Sequence, residues 1–147
     1  MKAKKGFTLV EILIVVVILG ILAAIVIPQF TEASTEARVS SLCSDLQTLR
    51  SQIELYKVQH NDIPPTLAAF EPQMIWTSDA AGNTSGDKVR QGVFILGPYL
   101  ERVSENPFNH LTTLDASGVA GDGGGGWEYN EVTGEIHADD DPAHAVY

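Results

Sequence analysis

Residues 7–27 form an apolar run of 21 residues in which Glu11 is the single charged side chain. At about 1.5 Å of rise per residue, a helix of this length just crosses a bilayer core of roughly 30 Å. The six preceding residues contain three lysines and no acid, and such a cluster keeps the N-terminus of a membrane helix on the cytoplasmic side. The sequence therefore predicts a single-pass anchor, with the remaining residues on the outer side of the membrane.

The carboxylate of Glu11 is the unusual feature of this run. A charged side chain inside a bilayer costs several kcal/mol, so it usually has a partner and a function. In a plain membrane anchor, the alternative, Glu11 would reach the cytoplasmic interface and have no function. A secretory signal would place small residues at a cleavage site after the apolar core, whereas here a Gly6-Phe7 step precedes the core.

The segment Gly6-Phe7-Thr8-Leu9-Val10-Glu11 resembles the class III leader of type IV pilins and of the pseudopilins of type II secretion systems. In these families a membrane peptidase cleaves after the glycine and methylates the new N-terminal phenylalanine. The resemblance implies that residues 1–6 are a leader, that cleavage falls after Gly6, and that Phe7 is methylated. It also implies that Glu11 neutralises the N-terminal amine of a neighbouring subunit during assembly, which agrees with the need of a buried carboxylate for a cation.

The charge of the chain argues against some partners. It has 9 basic and 19 acidic side chains and a formal charge of −10. Loss of the three leader lysines would leave 6 basic against 19 acidic side chains, or −13. Because phosphate contacts need lysine and arginine, we predict no binding of nucleic acid. The same charge keeps exported subunits soluble and leaves room for divalent cations.

Residues 28–61 are predicted to continue the helix in amphipathic form. Pro28 removes one helical hydrogen bond, so we predict a helix kink there; the alternative is that the membrane helix ends at this proline. The sequence 61–65, Asn-Asp-Ile-Pro-Pro, ends the second stretch because its prolines cannot continue a helix. Apolar residues recur at steps of three and four, and this stripe comprises Val39, Leu42, Leu46, Leu49, Ile53 and Tyr56.

Cys43 is the only cysteine, so the chain forms no internal disulfide. Many pilins close a C-terminal loop with a cysteine pair, and this chain departs from that pattern. The position of Cys43 among apolar helix residues predicts that its side chain is buried and acts as a small hydrophobic group. An intermolecular disulfide is the alternative.

Residues 62–147 are predicted to form a small domain of loops and a β-hairpin. The pattern predicts a helical turn at 66–70 capped by Thr66, a surface loop at 77–91, a strand at 111–114, and a flexible loop of six glycines at 115–126. Two strands around the turn at 130–134 form the hairpin. We expect Trp127, Tyr129 and Ile136 to cover the helix stripe. The result is an α+β, pilin-like fold, a long N-terminal helix packed on a small antiparallel sheet.

Two further segments are similar to the major pseudopilins of type II secretion. Tyr56 is followed after a short polar stretch by Asn-Asp-Ile-Pro, similar to the helix exit of that group. The pair Tyr99-Leu100 precedes an Asn106-Pro107 step and an aromatic residue, which is similar to its linker.

No pattern predicts a catalytic site. The four histidines (His60, His110, His137 and His144) lack metal-ligand spacing and are expected on the surface or in loops. We therefore predict no enzyme activity and no metal ligands.

The acidic run Asp139-Asp140-Asp141 leaves calcium as an alternative cofactor. Together with Asp122 it could bind calcium, since the resemblance to major pseudopilins implies calcium in a C-terminal loop and calcium prefers oxygen ligands. The family's spacing of acids and serines is not reproduced, and a solvated acidic tail is the commoner meaning of such a run. We expect no cofactor, with calcium as the alternative.

The resemblance implies a structural subunit of a filament. The chain is predicted to be the major pseudopilin of a type II secretion system, anchored in the inner membrane with its C-terminal domain in the periplasm. The implied partners are further copies of itself, the prepilin peptidase, minor pseudopilins and an assembly platform with its ATPase. The alternatives are a type IV pilus major pilin, whose C-terminal domain would be extracellular, and a membrane-tethered ligand-binding module.

Overall fold

The computed structural model of the chain describes residues 6–147. Helix α1 (Leu9–Gln59) is followed by a 3-10 turn (Leu67–Ala69), helix α2 (Phe70–Ile75) and strands β1 (Leu114–Asp115), β2 (Trp127–Tyr129) and β3 (Ile136–Ala138). The chain divides into two compact units, one ending at Ala37 and the other spanning Arg38–Tyr147. Apart from Gly6, the predicted leader lies outside the described residues.

The first unit contains the apolar part of helix α1. Every residue from Gly6 to Arg38 is exposed. Among the described residues, α1 is the one helix that is long and apolar enough to cross a membrane. The helix continues without a break through Pro28, so the alternative that the membrane helix ends at this proline is wrong. The predicted kink stays a prediction.

The second unit is built around the amphipathic part of α1. The predicted stripe is confirmed, because Leu42, Leu46, Leu49, Ile53 and Tyr56 are all buried, while Val39 is half-buried. These side chains belong to one hydrophobic cluster with the three residues that we expected to cover them, Trp127, Tyr129 and Ile136. The predicted α+β arrangement of a long helix on a small sheet is therefore confirmed.

The exit from α1 differs in detail from the expectation. The helix ends at Gln59, two residues before the predicted limit, and Asn61 and Asp62 have φ angles of 57° and 62°. Thr66 holds the N-cap position of the following 3-10 turn, but its side chain makes no capping hydrogen bond. Helix α2 was not predicted, although its buried Phe70 and Met74 lie four residues apart, as helical packing requires.

The sheet has three strands in the order β1-β2-β3. Strands β2 and β3 pair antiparallel, with Trp127 opposite Ala138 and Tyr129 opposite Ile136, and confirm the predicted hairpin. Strand β1 is shorter than the predicted strand at 111–114 and pairs parallel with β2. The expectation of an all-antiparallel sheet was wrong because the long glycine-rich connection before β2 carries the chain back, so that β2 runs in the direction of β1.

Cys43 lies in an environment opposite to the one predicted, and His60 lies in a turn but is buried. Cys43 is exposed, because one residue turns a helix by roughly 100° and moves Cys43 away from the face of Leu42. His60 is buried at 2% exposure. Its Nδ1 donates to the Tyr56 carbonyl (2.8 Å), and its ring stacks on that of Tyr56 with centroids 3.7 Å apart.

The polar groups of the large aromatic side chains in the core have partners. Tyr129 donates its hydroxyl to the Pro65 carbonyl (2.8 Å), and Trp127 Nε1 donates to the Ser104 carbonyl (2.8 Å). Burial raises the pKa of Tyr56 to about 12 and raises the pKa of Tyr129 as well. Both phenols therefore stay neutral in the core at physiological pH.

Leu49 and Leu55 test the role of the buried stripe, because they lie on the same helix with 0% and 42% exposure. Leu49→Ala should lower the free energy of unfolding by about 2–5 kcal/mol, since it leaves a cavity in the core. Leu55→Ala should change it by less than about 1 kcal/mol. Urea unfolding of the full chain in detergent, followed by near-UV circular dichroism, measures both. Equal losses would contradict the assignment of the core.

Candidate functional site

Gly6 and Phe7 precede the first turn of helix α1. Both are exposed, and the Phe7 side chain is 86% exposed. A Cβ added to Gly6 would meet no atom within 4 Å. The structure thus leaves the predicted cleavage bond uncovered among the described residues.

Glu11 lies in the first turn of α1 and bonds to Thr8. The Glu11 Oε2 atom accepts hydrogen bonds from the Thr8 backbone N–H (2.7 Å) and from the Thr8 hydroxyl (2.8 Å). In return the Glu11 N–H donates to Thr8 Oγ1 (3.2 Å). This reciprocal pair is a capping box, which satisfies N–H groups that have no partner within the helix.

The capping box leaves part of the Glu11 carboxylate available. Both side-chain bonds end on Oε2, and among the described residues no donor bonds to Oε1. A carboxylate at a helix N-terminus is also stabilised by the helix dipole. A Thr-x-x-Glu spacing before an apolar run is the sequence signature of this box, so Thr8 joins the predicted residues Gly6, Phe7 and Glu11.

Asp139 organises the glycine-rich loop before β2. The side chain is fully buried: its Oδ1 accepts from the N–H groups of Gly121 (2.8 Å) and Asp122 (3.1 Å), and its Oδ2 accepts from that of Gly125 (2.7 Å). Gly121 has a φ of 85°, and a Cβ there would lie 2.6 Å from the Pro142 backbone. The expectation of a solvated tail is therefore wrong for Asp139, and the loop predicted to be flexible is bonded to it at three positions.

Asp140 has a second set of partners. Its Oδ1 accepts from Asn106 Nδ2 (2.8 Å), and its Oδ2 lies 2.5 Å from His144 Nδ1. The buried Asn106 also donates to the Gly126 carbonyl (2.9 Å), so it joins the Asn-Pro linker to the end of the glycine-rich loop. Of the three consecutive aspartates, only Asp141 is exposed.

Three carboxylates converge beside this loop. One oxygen from each of Asp115, Asp122 and Asp139 lies within 4.8 Å of the others. Asp122 is exposed, Asp115 half-buried and Asp139 buried. Asp115 was not predicted to belong to this group, because only the pairing of β1 with β2 brings it to the loop. A set made only of carboxylate oxygens suits a hard cation such as calcium better than zinc.

The histidines each bond to separate partners. His110 is exposed, as expected, and lies 2.7 Å from Glu105. His137 and His144 are half-buried, and His137 Nδ1 donates to the Ala145 carbonyl (3.1 Å). His60 bonds to backbone and lies 3.1 Å from the Ser78 hydroxyl. These contacts give each histidine a structural role.

Comparison with known proteins adds to this geometry. The family model of the prokaryotic N-terminal methylation motif matches residues 1–27. The type II secretion system core protein G of Pseudomonas aeruginosa is 39% identical over 70 residues, which cover 48% of this chain and 49% of that protein. Its namesake in Klebsiella pneumoniae is 29% identical over 122 residues, which cover 67% of this chain and 87% of that protein.

A third similarity is shorter. A fimbrial protein of Pseudomonas aeruginosa is 48% identical over 54 residues, which cover 37% of this chain and 35% of that protein. The chain thus spans about half the length of the Pseudomonas core protein and a third of the fimbrial protein. No solved structure is significantly similar to this chain.

Asp139 and Asp141 form a matched pair for testing the loop. Asp139→Asn should lower the free energy of unfolding by about 1.5–3 kcal/mol, because it replaces a charged acceptor with an amide donor beside a buried N–H. Asp141→Asn should change it by no more than about 0.5 kcal/mol, since Asp141 is exposed. Urea unfolding of the full chain in EDTA measures both values. A stable Asp139→Asn variant would contradict the role of Asp139.

Proposed function

Because this chain is a type IV pilin-like protein, we propose that it serves as the major pseudopilin of a type II secretion system. The observation that carries the proposal is the methylation motif at the start of a fully exposed apolar helix. The similarity to a core protein G over 87% of its length extends this support beyond the motif. The similarity to the fimbrial protein covers a much smaller share and favours the alternative, a type IV pilus major pilin, less well.

Helix α1 anchors the chain in a membrane. In the proposed sequence of events, the precursor inserts into the inner membrane with its N-terminus in the cytoplasm, and the unit Arg38–Tyr147 lies in the periplasm. The prepilin peptidase then cleaves after Gly6 and methylates Phe7. The exposure of Gly6 and Phe7 supports access to this bond.

Assembly would then cover the exposed apolar helix with the helices of other subunits. The Oε1 atom of Glu11 would accept the charged amine of a neighbour's Phe7, while Oε2 keeps its bonds to Thr8. The small pair Gly20 and Ala24 allows close approach of helices where the surrounding lipid is as apolar as the protein.

The work of such a subunit is mechanical, with no catalytic step of its own. An assembly platform with its cytoplasmic ATPase would extract subunits from the membrane, and minor pseudopilins would join the filament. The growing filament would push folded proteins through an outer-membrane pore. A surface pilus would use the same assembly but extend outside the cell.

Mass spectrometry of the N-terminal peptide tests this proposal. We expect a methylated Phe7 terminus in the cell envelope and little of it in sheared surface material. The same peptide abundant in sheared fibres would indicate a pilus subunit. An intact leader in both fractions would contradict the filament subunit and leave a tethered binding module.

Removal of the Glu11 carboxylate should separate insertion from assembly. The Glu11→Ala variant should remain in the membrane but fail to enter filaments, because the neighbour's amine loses its partner. Glu71→Ala, which removes an exposed acid at the start of α2, is the control and should assemble normally. Sedimentation and cross-linking of envelope fractions measure assembly. Normal assembly of Glu11→Ala would contradict the proposed role.

We also propose that the group Asp115, Asp122 and Asp139 holds a calcium ion. The three carboxylates supply oxygen ligands, and calcium would offset their mutual repulsion. Asp139 already accepts three backbone hydrogen bonds, which positions the loop before any cation arrives. The ion would supply structural stabilisation to this loop.

Calcium should therefore raise the melting temperature of the full chain in detergent. A ligand at a hundredfold excess over its Kd adds about 2.7 kcal/mol, and each kcal/mol raises the melting temperature by about 4–8 °C in a domain of this size. The double variant Asp115→Asn/Asp122→Asn should lose this response, whereas Asp141→Asn should keep it. Equal melting temperatures in calcium and in EDTA for the unsubstituted chain would contradict the site.

A further inference from the structure

A short hairpin in the loop after α2 exposes apolar side chains. Gln91 and Phe94 exchange two backbone hydrogen bonds (3.1 and 2.9 Å) across a two-residue turn of Gly92 and Val93. Around this turn three large apolar residues are exposed, namely Val89 (57%), Val93 (68%) and Ile95 (59%). Three exposed apolar side chains within seven residues give this hairpin an apolar surface that a partner could cover.

Cations flank these apolar residues. Lys88 and Arg90 are exposed and are two of the six basic residues that remain after residue 6. Lys88 Nζ donates to the Glu101 carbonyl (2.9 Å), a neutral acceptor that leaves its charge unpaired. Arg90 Nε donates to the Gly97 carbonyl (3.0 Å), which leaves its terminal nitrogens without a bond among the described residues. Residues 88–95, here called the basic hairpin, thus combine arginine with apolar surface, as protein interfaces do.

A surface of opposite character lies on helix α1. Glu32 and Glu36 are four residues apart and exposed, so like charges share one face at some cost to the helix. The adjacent hydroxyls of Thr31 and Thr35 donate back to the carbonyls of residues 27 (3.2 Å) and 31 (3.1 Å). This acidic face, Thr31, Glu32, Thr35 and Glu36, therefore presents acceptors only.

Three of the four other cations after residue 6 do not neutralise the two glutamates of this face. Arg38 lies two residues after Glu36, a spacing at which helix side chains do not meet. Arg50 is bonded to the Ile136 carbonyl (2.9 Å), and Lys57 pairs with Glu54 (2.7 Å). Among the described residues no ion pair involves Glu32 or Glu36.

We propose that the basic hairpin of one subunit docks on the acidic face of a second copy of this chain. Charge complementarity favours a second copy of the chain as the partner, because the positive hairpin and the negative helix face attract each other. In a chain this acidic, few surfaces combine exposed cations with apolar residues. The contact joins two different surfaces, and such heterologous contacts propagate into open helical arrays when the rotation between subunits does not close a ring. This inference rests on the proposed filament function and names the subunit surfaces that it uses.

Disulfide cross-linking tests the contact directly. Two differently tagged copies of the full chain, both carrying Cys43→Ser, are expressed together, one with Val93→Cys and the other with Thr35→Cys. We expect an oxidant to produce a disulfide-linked heterodimer in assembled material. Val132→Cys is the control for Val93→Cys, because Val132 is a still more exposed valine (82% against 68%) on the β2–β3 turn, and it should not cross-link to position 35.

Charge reversal tests the complementarity. Lys88→Glu/Arg90→Glu should reduce the heterodimer about tenfold, since two surface ion pairs together have an effect of that order. Adding Glu32→Lys/Glu36→Lys should restore it. Filaments that assemble without the 93–35 cross-link, or that ignore charge reversal, would overturn this contact and leave the filament function standing. Absence of filaments from the unsubstituted chain would overturn both.

Discussion

The apolar surface of the first half of α1 finds no cover among the described residues, since every side chain from Gly6 to Arg38 is exposed. Water is a poor solvent for such a surface, so lipid or other helices have to surround it. A carboxylate in the first turn makes either environment costly unless its oxygens have donors. Thr8 supplies donors to one oxygen of Glu11, and the other oxygen has no bond among the described residues. The proposed membrane insertion and the proposed contact between subunits both rest on this one constraint.

The second half of the same helix differs, because its apolar side chains are buried within the protein. Its stripe from Leu42 to Tyr56 is buried by the hairpin strands, whose large aromatics bond to nearby carbonyls through their polar atoms. One helix thus supports a membrane segment and a folded unit. Several hydrogen bonds of that unit are made by its C-terminal aspartates. Asp139 accepts from three backbone N–H groups of the glycine-rich loop, which would otherwise bond to water. Asp140 accepts from Asn106, which belongs to the Asn-Pro linker.

Local patterns predicted those elements whose partners are near in sequence. The spacing of Leu42, Leu46 and Leu49 predicted the buried face, and the alternation around the turn at 130–134 predicted the hairpin. The prediction that Cys43 is buried was wrong because it relied on the apolar neighbours of Cys43 in sequence. Adjacent residues point to different sides of a helix, and Cys43 is exposed. Asp139 was expected in a solvated tail because polar residues usually lie at the surface, yet it is buried with three hydrogen-bond partners.

The amino-acid sequence alone determined that this chain has an apolar membrane-length helix, a Gly6-Phe7 step and a single acid four residues after that phenylalanine. These are contiguous features, and their chemistry does not depend on the rest of the fold. Only the tertiary structure decided that β1 pairs parallel with β2, which brings Asp115 beside Asp122 and Asp139. Asp115 and Asp139 are 24 positions apart along the chain. They come together only because β1 pairs with β2 and because the buried Asp139 carboxylate accepts hydrogen bonds from the glycine-rich loop.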